Sequence, residues 1–545
     1  MPLGLPIGLP DWPGFQRPKL LSGLLPVVIS SCNHAIKGTP VYVNPPRWMP
    51  VIAIIRNFED YSEALLVSET YEASGGEMSE TGIVYKSVAE LSQLIESKQV
   101  SPVEVAEAYL SRIDKLDFKF NSYLTVCRQE VLEQALEAET AITKGEYLGP
   151  MHGIPVGVKD QLWTKDVRTT GGSRFLADFV PQEDATAIAN LKKAGALLLG
   201  KTNMTEFAIT GFTHRFSTPR NPWDLNISAG GSSSGSGAAT AAFLCATSLG
   251  EDTGGSIRRP AAWCGLVGLR PSWGRVSRYG VMKGVWSMDT IGPISRTVED
   301  AAITLGAIAG YDPNDPTTWN IPVPDYREVL TGDIKGMKVG IVKELLHSDQ
   351  VEPDVENAVA TATALLAKLG AVVEEVSIPL TAHANSIGSV LLNTEPASNL
   401  GEWVRERLQD FGHDNRIGLL TGSIIPAQVY YKAQKLRTML RQQVLDALER
   451  YDVLVMPTSG KVAPELQDDP VVTSKETTSR LPFMRTNSFN LSSTPAISVP
   501  CGFGAQGLPV GLQIAGRPGG EATILNVAHT YEKATTWHTM KPTNA

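Results

Sequence analysis

Three segments of this chain carry residue types that can act together on a carbonyl group. The first is Ala229-Gly-Gly-Ser-Ser-Ser-Gly-Ser-Gly237, the second Asp252-Thr-Gly-Gly-Ser-Ile-Arg-Arg-Pro260, and the third His152-Gly-Ile-Pro-Val-Gly-Val-Lys159, a short run that ends on a lysine. A serine hydroxyl is a poor nucleophile at its free pKa and needs a base. A lysine held in an apolar pocket, away from carboxylates, loses its charge and can serve as one. Backbone N–H groups of a Thr-Gly-Gly-Ser turn, unobstructed where glycine has no side chain, can converge on a developing oxyanion, each donor contributing roughly 3 kcal/mol. These segments therefore hold the parts of a serine–lysine hydrolytic site.

Other chemistries fit less well. A glycine-rich turn feeding the apolar run Ala238–Leu249, which reads as helical, could cradle a phosphate. A P-loop, however, needs lysine and Ser/Thr where Ala238-Ala239 stand, and a dinucleotide fingerprint needs glycine where Thr240 stands. Gly231-Ser-Ser233-Ser-Gly235 matches the G-x-S-x-G nucleophile elbow of α/β-hydrolases, with Ser233 as nucleophile. That turn requires an apolar strand directly before it, and Asn221–Gly230 is too polar and irregular. The remaining reading is a buried, ion-paired Lys159 and turn serines that merely satisfy backbone groups. His152, His214 and His529 stand in no nucleophile or metal context and read as packing or surface residues, and Cys264 as core.

The five cysteines are scattered and lack CxxC or Cys/His spacing, so neither a disulfide framework nor a zinc site is expected. A net charge of −9 without a basic run excludes a phosphate-backbone footprint, so no nucleic acid is expected as partner. Leu20–Ser30 is interrupted by Pro26, and no run approaches the ~18 apolar residues of a membrane span. The reading is a cytoplasmic enzyme.

The elements that must position the three segments alternate along the chain. Ser87-Val-Ala-Glu90 and Ser101-Pro-Val-Glu104 are capping boxes that open two amphipathic helices. A helix from Asp184 stops at Gly195 before the strand Ala196–Gly200. The pattern recurs at the strand Lys338–Val342, an amphipathic helix, a stop at Gly370 and the strand Ala371–Ile378, which suggests parallel pairing. A long helix at about 426–450, with Val429, Ala433, Leu436, Leu440 and Val444 on one face, precedes the strand Asp452–Met456. No linker divides this part. The first 50 residues differ, with ten prolines and only five charges, so residues 1–83 are set apart as an extension of unassigned role and 84–545 as one domain.

The motifs resemble those of the amidase signature family. The likeness rests on Gly153-Ile-Pro-Val-Gly-Val-Lys-Asp160, Gly230-Gly-Ser-Ser-Ser-Gly-Ser236 and the run Asp252 to Pro271. It extends through Gly200-Lys-Thr-Asn-Met-Thr-Glu206, Pro495–Gly502 and Gly507–Ile514, covering about Tyr85 to His538. Ser234 and Gly237 depart from the family's usual glycine and alanine. The resemblance implies one large α/β domain with a central mixed, mainly parallel twisted sheet covered by helices. It implies Ser256 as nucleophile, Ser232 as bridging serine on a cis peptide bond and Lys159 as base. Oxyanion donors would be the backbone N–H groups of Thr253, Gly254, Gly255 and Ser256, with Ser233, Asp252 and Arg258 in support. Neither metal nor cofactor is implied.

Within that family the likeness extends to the glutamine-hydrolysing A subunit of tRNA-dependent amidotransferases. That protein carries an aspartate seven residues before the asparagine of N-L-x-x-x-P-A-I-S-V-P, and the corresponding position from Asn490 is Phe483. A ring in place of a carboxylate removes a partner for glutamine's α-ammonium, so the expected substrate is a small apolar acyl or aryl amide, with esters and carbamates as further candidates. Met204 and Phe483 are the expected pocket residues; glutamine is the alternative substrate, and a homodimer the open alternative to a monomer. On this reading Ser256→Ala abolishes turnover of an amide substrate and Ser233→Ala leaves a remnant; the reverse pattern would restore the elbow.

Overall fold

The β-branched runs become strands of one mixed sheet. The computed structural model describes residues 80–209, 216–282, 284–466 and 484–545. Among them eleven strands pair: β1 (Tyr123–Val126), β2 (Pro155–Lys159), β3 (Leu197–Thr202), β4 (Thr247–Glu251), β5 (Val267–Arg270), β6 (Ile291–Ser295), β7 (Lys338–Val342), β8 (Val372–Val376), β9 (Val453–Pro457), β10 (Ala496–Phe503) and β11 (Pro509–Ala515). Their order is β1-β3-β2-β4-β6-β5-β10-β11-β9-β7-β8. Pairing is parallel in two blocks, β3-β2-β4 and β9-β7-β8. The pairings beside and between those blocks are antiparallel. The sheet is the mixed one expected, with a smaller parallel share. Strand–helix–strand grammar reveals only crossovers, and it misses the antiparallel neighbours β10 and β11, which five residues join.

Helices cover both faces. Along β9 the side chains alternate: Val453 and Val455 belong to one apolar cluster, Leu454 and Met456 to another. Along β9 that period-two alternation sends the two clusters to opposite faces of the sheet, and β2, β3 and β4 are buried at every residue. Both capping boxes form, Ser87 with Glu90 and Ser101 with Glu104. The glycine stops fall where expected, with φ of +78° at Gly195 and +102° at Gly370. The first helix, Glu80–Val84, crosses the boundary that composition set at residue 84, and the Pro-rich start lies outside the described residues.

Two expectations are corrected. The run Ala238–Leu249 is not one helix: the helix ends at Ala241, Phe243 turns left-handed at φ +58°, and Thr247–Glu251 is β4. An apolar run too short to show its period cannot separate a buried helix from a buried strand. On the helix Ala427–Arg450, Val429 is exposed, whereas Ala433, Leu440 and Val444 are buried.

Gly200 sits where β3 is flanked by β1 and β2, at φ +150°, and a Cβ there would run into the Thr125 carbonyl oxygen. Gly200→Ala is expected to destabilise the fold by about 2–4 kcal/mol, read as a lower urea midpoint at unchanged slope.

Candidate active site

Sheet register sets the base. β2 and β4 run parallel with Val158 opposite Leu249, so their carboxyl ends bring Lys159 beside Glu251. The Lys159 side chain is fully buried, and its Nζ donates to Ser232 Oγ at 2.7 Å and to the Glu251 carbonyl at 3.2 Å. Nζ also lies 3.1 Å from Glu251 Oε2. The expectation of a lysine away from carboxylates is therefore wrong: this lysine is ion-paired and bonded to a serine at once. Burial lowers its pKa below a lysine's ordinary value, and the Glu251 carboxylate opposes that shift. A second buried lysine, Lys201, donates instead to Leu162 O, Thr164 Oγ1 and Thr169 Oγ1 and makes no bond to the glycine–serine run.

The glycine–serine run supplies the next parts. The peptide bond between Gly231 and Ser232 is cis. Ser234, the departure from the family pattern, donates its hydroxyl to the Gly230 carbonyl at 2.6 Å and closes the loop on itself. Ser233 stands at the start of the helix Ser234–Ala241 without a side-chain capping bond and is fully buried. Its Oγ lies 3.3 Å from both the Glu251 carbonyl and the Glu251 N–H, so it ties the loop to the end of β4. Among the described residues no strand leads into this turn; Ser228 and Ile227 make only isolated bridges. A nucleophile elbow does not form here. The Ser233 N–H donates to the Ser256 carbonyl at 3.3 Å, drawing the two serine-bearing segments together. Ser256 is 7 % exposed, against 1 % for Ser232 and 0 % for Lys159, so accessibility rises in the order lysine, Ser232, Ser256.

Asp252 shapes the turn that carries Ser256. Its Oδ1 accepts from the Gly255 N–H at 2.8 Å, Arg258 Nη2 at 3.0 Å and Asn490 Nδ2 at 2.7 Å, and its Oδ2 from the Ile257 N–H at 3.2 Å and Arg258 Nε at 3.0 Å. Burial alone would raise this carboxyl, yet the Arg258 and Arg270 guanidiniums hold it well below the usual carboxylate range. Arg258 continues to Gln513 Oε1 at 2.6 Å, and Thr486 Oγ1 donates to the Gly254 carbonyl at 2.6 Å. Gly255 stands at φ +117° against Thr486, where a Cβ would clash. One donor assignment changes: the Gly255 N–H is taken up by Asp252. Among the described residues the N–H groups of Thr253, Gly254 and Ser256 have no protein acceptor.

Sequence reasoning missed the carboxyl cluster behind the lysine. Thr253 Oγ1 lies 2.7 Å from Glu251 Oε1 and 2.8 Å from Asp289 Oδ1. Asp289 is brought there because β6 runs antiparallel to β4, with Glu251 opposite Ile291. The available signal was a lone carboxylate closing the strand Thr247-Ser-Leu-Gly-Glu251 and another between apolar stretches at Asp289. Met204 is buried against Gly172; the next residue, Thr205, donates its N–H to the Ser232 carbonyl at 3.2 Å. Phe483 and His214 lie outside the described residues. His152, His529 and Cys264 are buried; His152 Nδ1 accepts from the Leu148 N–H at 3.1 Å, and Cys264 Sγ packs at 3.5 Å from the Ala229 carbonyl at the start of the glycine–serine run.

The amidase family model matches residues 104–525. The A subunit of the glutamyl-tRNA(Gln) amidotransferase of Moorella thermoacetica is 42 % identical, over 84 % of this chain and 99 % of the relative. Two solved structures share the fold. The A subunit of the Thermotoga maritima glutamyl-tRNA(Gln) amidotransferase superposes with a TM-score of 0.70 at 34 % identity, covering 83 % of this chain and 95 % of that one. A bacterial aryl acylamidase of the amidase signature superposes with a TM-score of 0.76 at 27 % identity, covering 84 % and 97 %.

Asp252→Asn leaves two buried guanidiniums without their anion and is expected to cost about 3–5 kcal/mol. Because its folded pKa is depressed, Asp252 stabilises the native state above the unfolded carboxylate value of about 3.9, and that contribution fades as pH falls below it. Urea unfolding across acid pH should show the wild-type slope flattened in Asp252→Asn.

Proposed function

The chain belongs to the amidase signature family, enzymes that hydrolyse amide C–N bonds, and on that premise we propose that Lys159, Ser232 and Ser256 form its catalytic relay. The observation that carries this reading is the 2.7 Å bond between Lys159 Nζ and Ser232 Oγ at the buried end of the serine segments. Ser256 Oγ attacks the substrate carbonyl carbon; its proton passes to Ser232, and that of Ser232 to Lys159. The carbonyl oxygen becomes an oxyanion received by the N–H groups of Thr253, Gly254 and Ser256. The relay then reverses to protonate the departing nitrogen, and water releases the acyl group from Ser256. Ser233 and Asp252 act at one remove, fixing the two loops that carry the serines. No step requires a metal or cofactor.

For the substrate, likeness over most of the chain favours glutamine over the apolar amide expected from position 483. The relatives that match at 41–42 % identity over 83–84 % of this chain are amidotransferase A subunits. On this reading the site hydrolyses glutamine to glutamate and ammonia, and the ammonia serves a partner protein. A specific observation supports the second reading, an apolar or aryl amide. Phe175 stacks on Trp403 at 4.7 Å and contacts Phe207 and Phe411; Phe207 follows Thr205 by two residues, and the Thr205 N–H bonds the Ser232 carbonyl.

Ammonia release from glutamine and hydrolysis of apolar anilides are to be compared in wild type and Ser256→Ala. Glutamine turnover lost in Ser256→Ala is the expected result, with a drop on the order of 10⁶ in kcat as the ceiling for removing a nucleophile. A kcat/KM for an anilide exceeding that for glutamine by an order of magnitude or more would overturn the glutamine reading. Turnover of either substrate that survives Ser256→Ala would overturn the relay.

A further inference from the structure

The groups behind Lys159 contain a hydrogen count that fixes their charges. Thr253 Oγ1 sits between Glu251 Oε1 at 2.7 Å and Asp289 Oδ1 at 2.8 Å. A hydroxyl has one hydrogen to give, so it donates to one carboxyl and bonds to the other only by accepting from a protonated acid. The lysine decides which is which. Glu251 Oε2 faces Lys159 Nζ at 3.1 Å, whereas Asp289 faces backbone: its Oδ1 accepts from the Val285 N–H and its Oδ2 from the Gly284 N–H, each at 3.0 Å. The anion belongs on Glu251 and the proton on Asp289. Burial, and then the Glu251 charge, push the Asp289 carboxyl well above the ordinary carboxylate range, in the same sense.

The surrounding charges are otherwise occupied. Asp252, after Glu251 in the chain, is engaged by Arg258 and Arg270. Arg278, whose charge also acts on Asp289, lies 3.6 Å from Asp315. Lys159 therefore has one carboxylate in direct contact, that of Glu251.

We propose that Glu251 is the positioning residue of the lysine base. Its carboxylate fixes Nζ against Ser232 and stabilises the ammonium that forms, while Asp289 stays a neutral acid bonded through the Thr253 hydroxyl and keeps a second negative charge away. The inference rests on the relay of the preceding subsection. As Ser256 Oγ bonds to carbon, one proton moves from Ser256 to Ser232 and another from Ser232 to Lys159. Nζ gains a positive charge, the carbonyl oxygen a negative one, and Glu251 keeps its charge throughout. A carboxylate held this close also raises the lysine pKa, so Glu251 sets the pH at which the base becomes available.

The test reads the activated serine without a natural substrate: the rate at which an alkyl fluorophosphonate inactivates the full-length chain, followed over pH. The rate should rise with pH as Lys159 loses its proton. In Glu251→Gln the rising limb should move down by about one pH unit or more, with a lower plateau, because the carboxylate that held the proton on the lysine is gone. Glu251→Asp, which draws the charge back by one methylene, should fall between, and carries the test alone if Glu251→Gln does not fold. Asp289→Asn should keep the limb at its wild-type position whatever its plateau. A plateau that falls with the limb unmoved in the Glu251 variants makes Glu251 a packing residue and overturns the proposal. A limb that moves down in Asp289→Asn overturns the neutral-acid half. A wild type that takes no label, or labelling that survives Ser256→Ala, instead removes the relay itself, which separates that failure from this one.

Discussion

The site depends on one buried carboxylate, Asp252, and on what surrounds it. A lone charge in this position would be strongly unfavourable to bury; two guanidiniums and four further hydrogen-bond donors make it stable there. Because those donors include backbone N–H groups of Gly255 and Ile257, neutralising the charge and bending the chain are the same event. The turn bearing Ser256 cannot relax without breaking an ion pair. Through Arg258 and Arg270 the constraint reaches β5, β11 and the short helix Asn487–Leu491, so the reactive loop is clamped by the sheet's antiparallel centre while its base comes from the parallel edge block.

That division accounts for a buried lysine, the base of the proposed relay, that is paired with a carboxylate and does not stand alone. The carboxyl ends of parallel strands are where open α/β sheets collect functional side chains. Here the neighbouring antiparallel strand β6 delivers Asp289 to the same end. A fully desolvated ammonium with no anion nearby would surrender its proton and contribute little orientation. One carboxylate at 3.1 Å restores direction while giving up some control of basicity, and the neutral second acid limits that effect.

Much of this was legible in the residues. The two capping boxes, the glycine stops at Gly195 and Gly370 and the parallel pair β7 and β8 follow from local chemistry that tertiary contacts did not override. The proximity of Lys159 to Ser232 was legible only through the resemblance of their motifs to the amidase signature. What could not be read was pairing across the sheet. Nothing local in Thr247-Ser-Leu-Gly-Glu251 distinguishes a strand from the end of a helix, and only as a strand does it bring Glu251 to the lysine. Likewise the bond from the Gly255 N–H to Asp252 depends on a turn geometry that four residue names do not specify.

The long reach of Arg258 has a consequence for synthesis. Its acceptors are Gln513 and Asn490, and the loop it anchors is also gripped by Thr486, all more than 200 residues downstream. Contacts so distant in sequence form late, after the costly closure of the intervening chain. On the ribosome Lys159 and both serines are translated by residue 256, and the local bonds of Asp252 to Gly255, Ile257, Arg258 and Arg270 are available by residue 270, yet the outer grip from Thr486, Asn490 and Gln513 waits for the last part of the chain. The clamp on the Ser256 turn is thus completed only with the strands that close the sheet's centre.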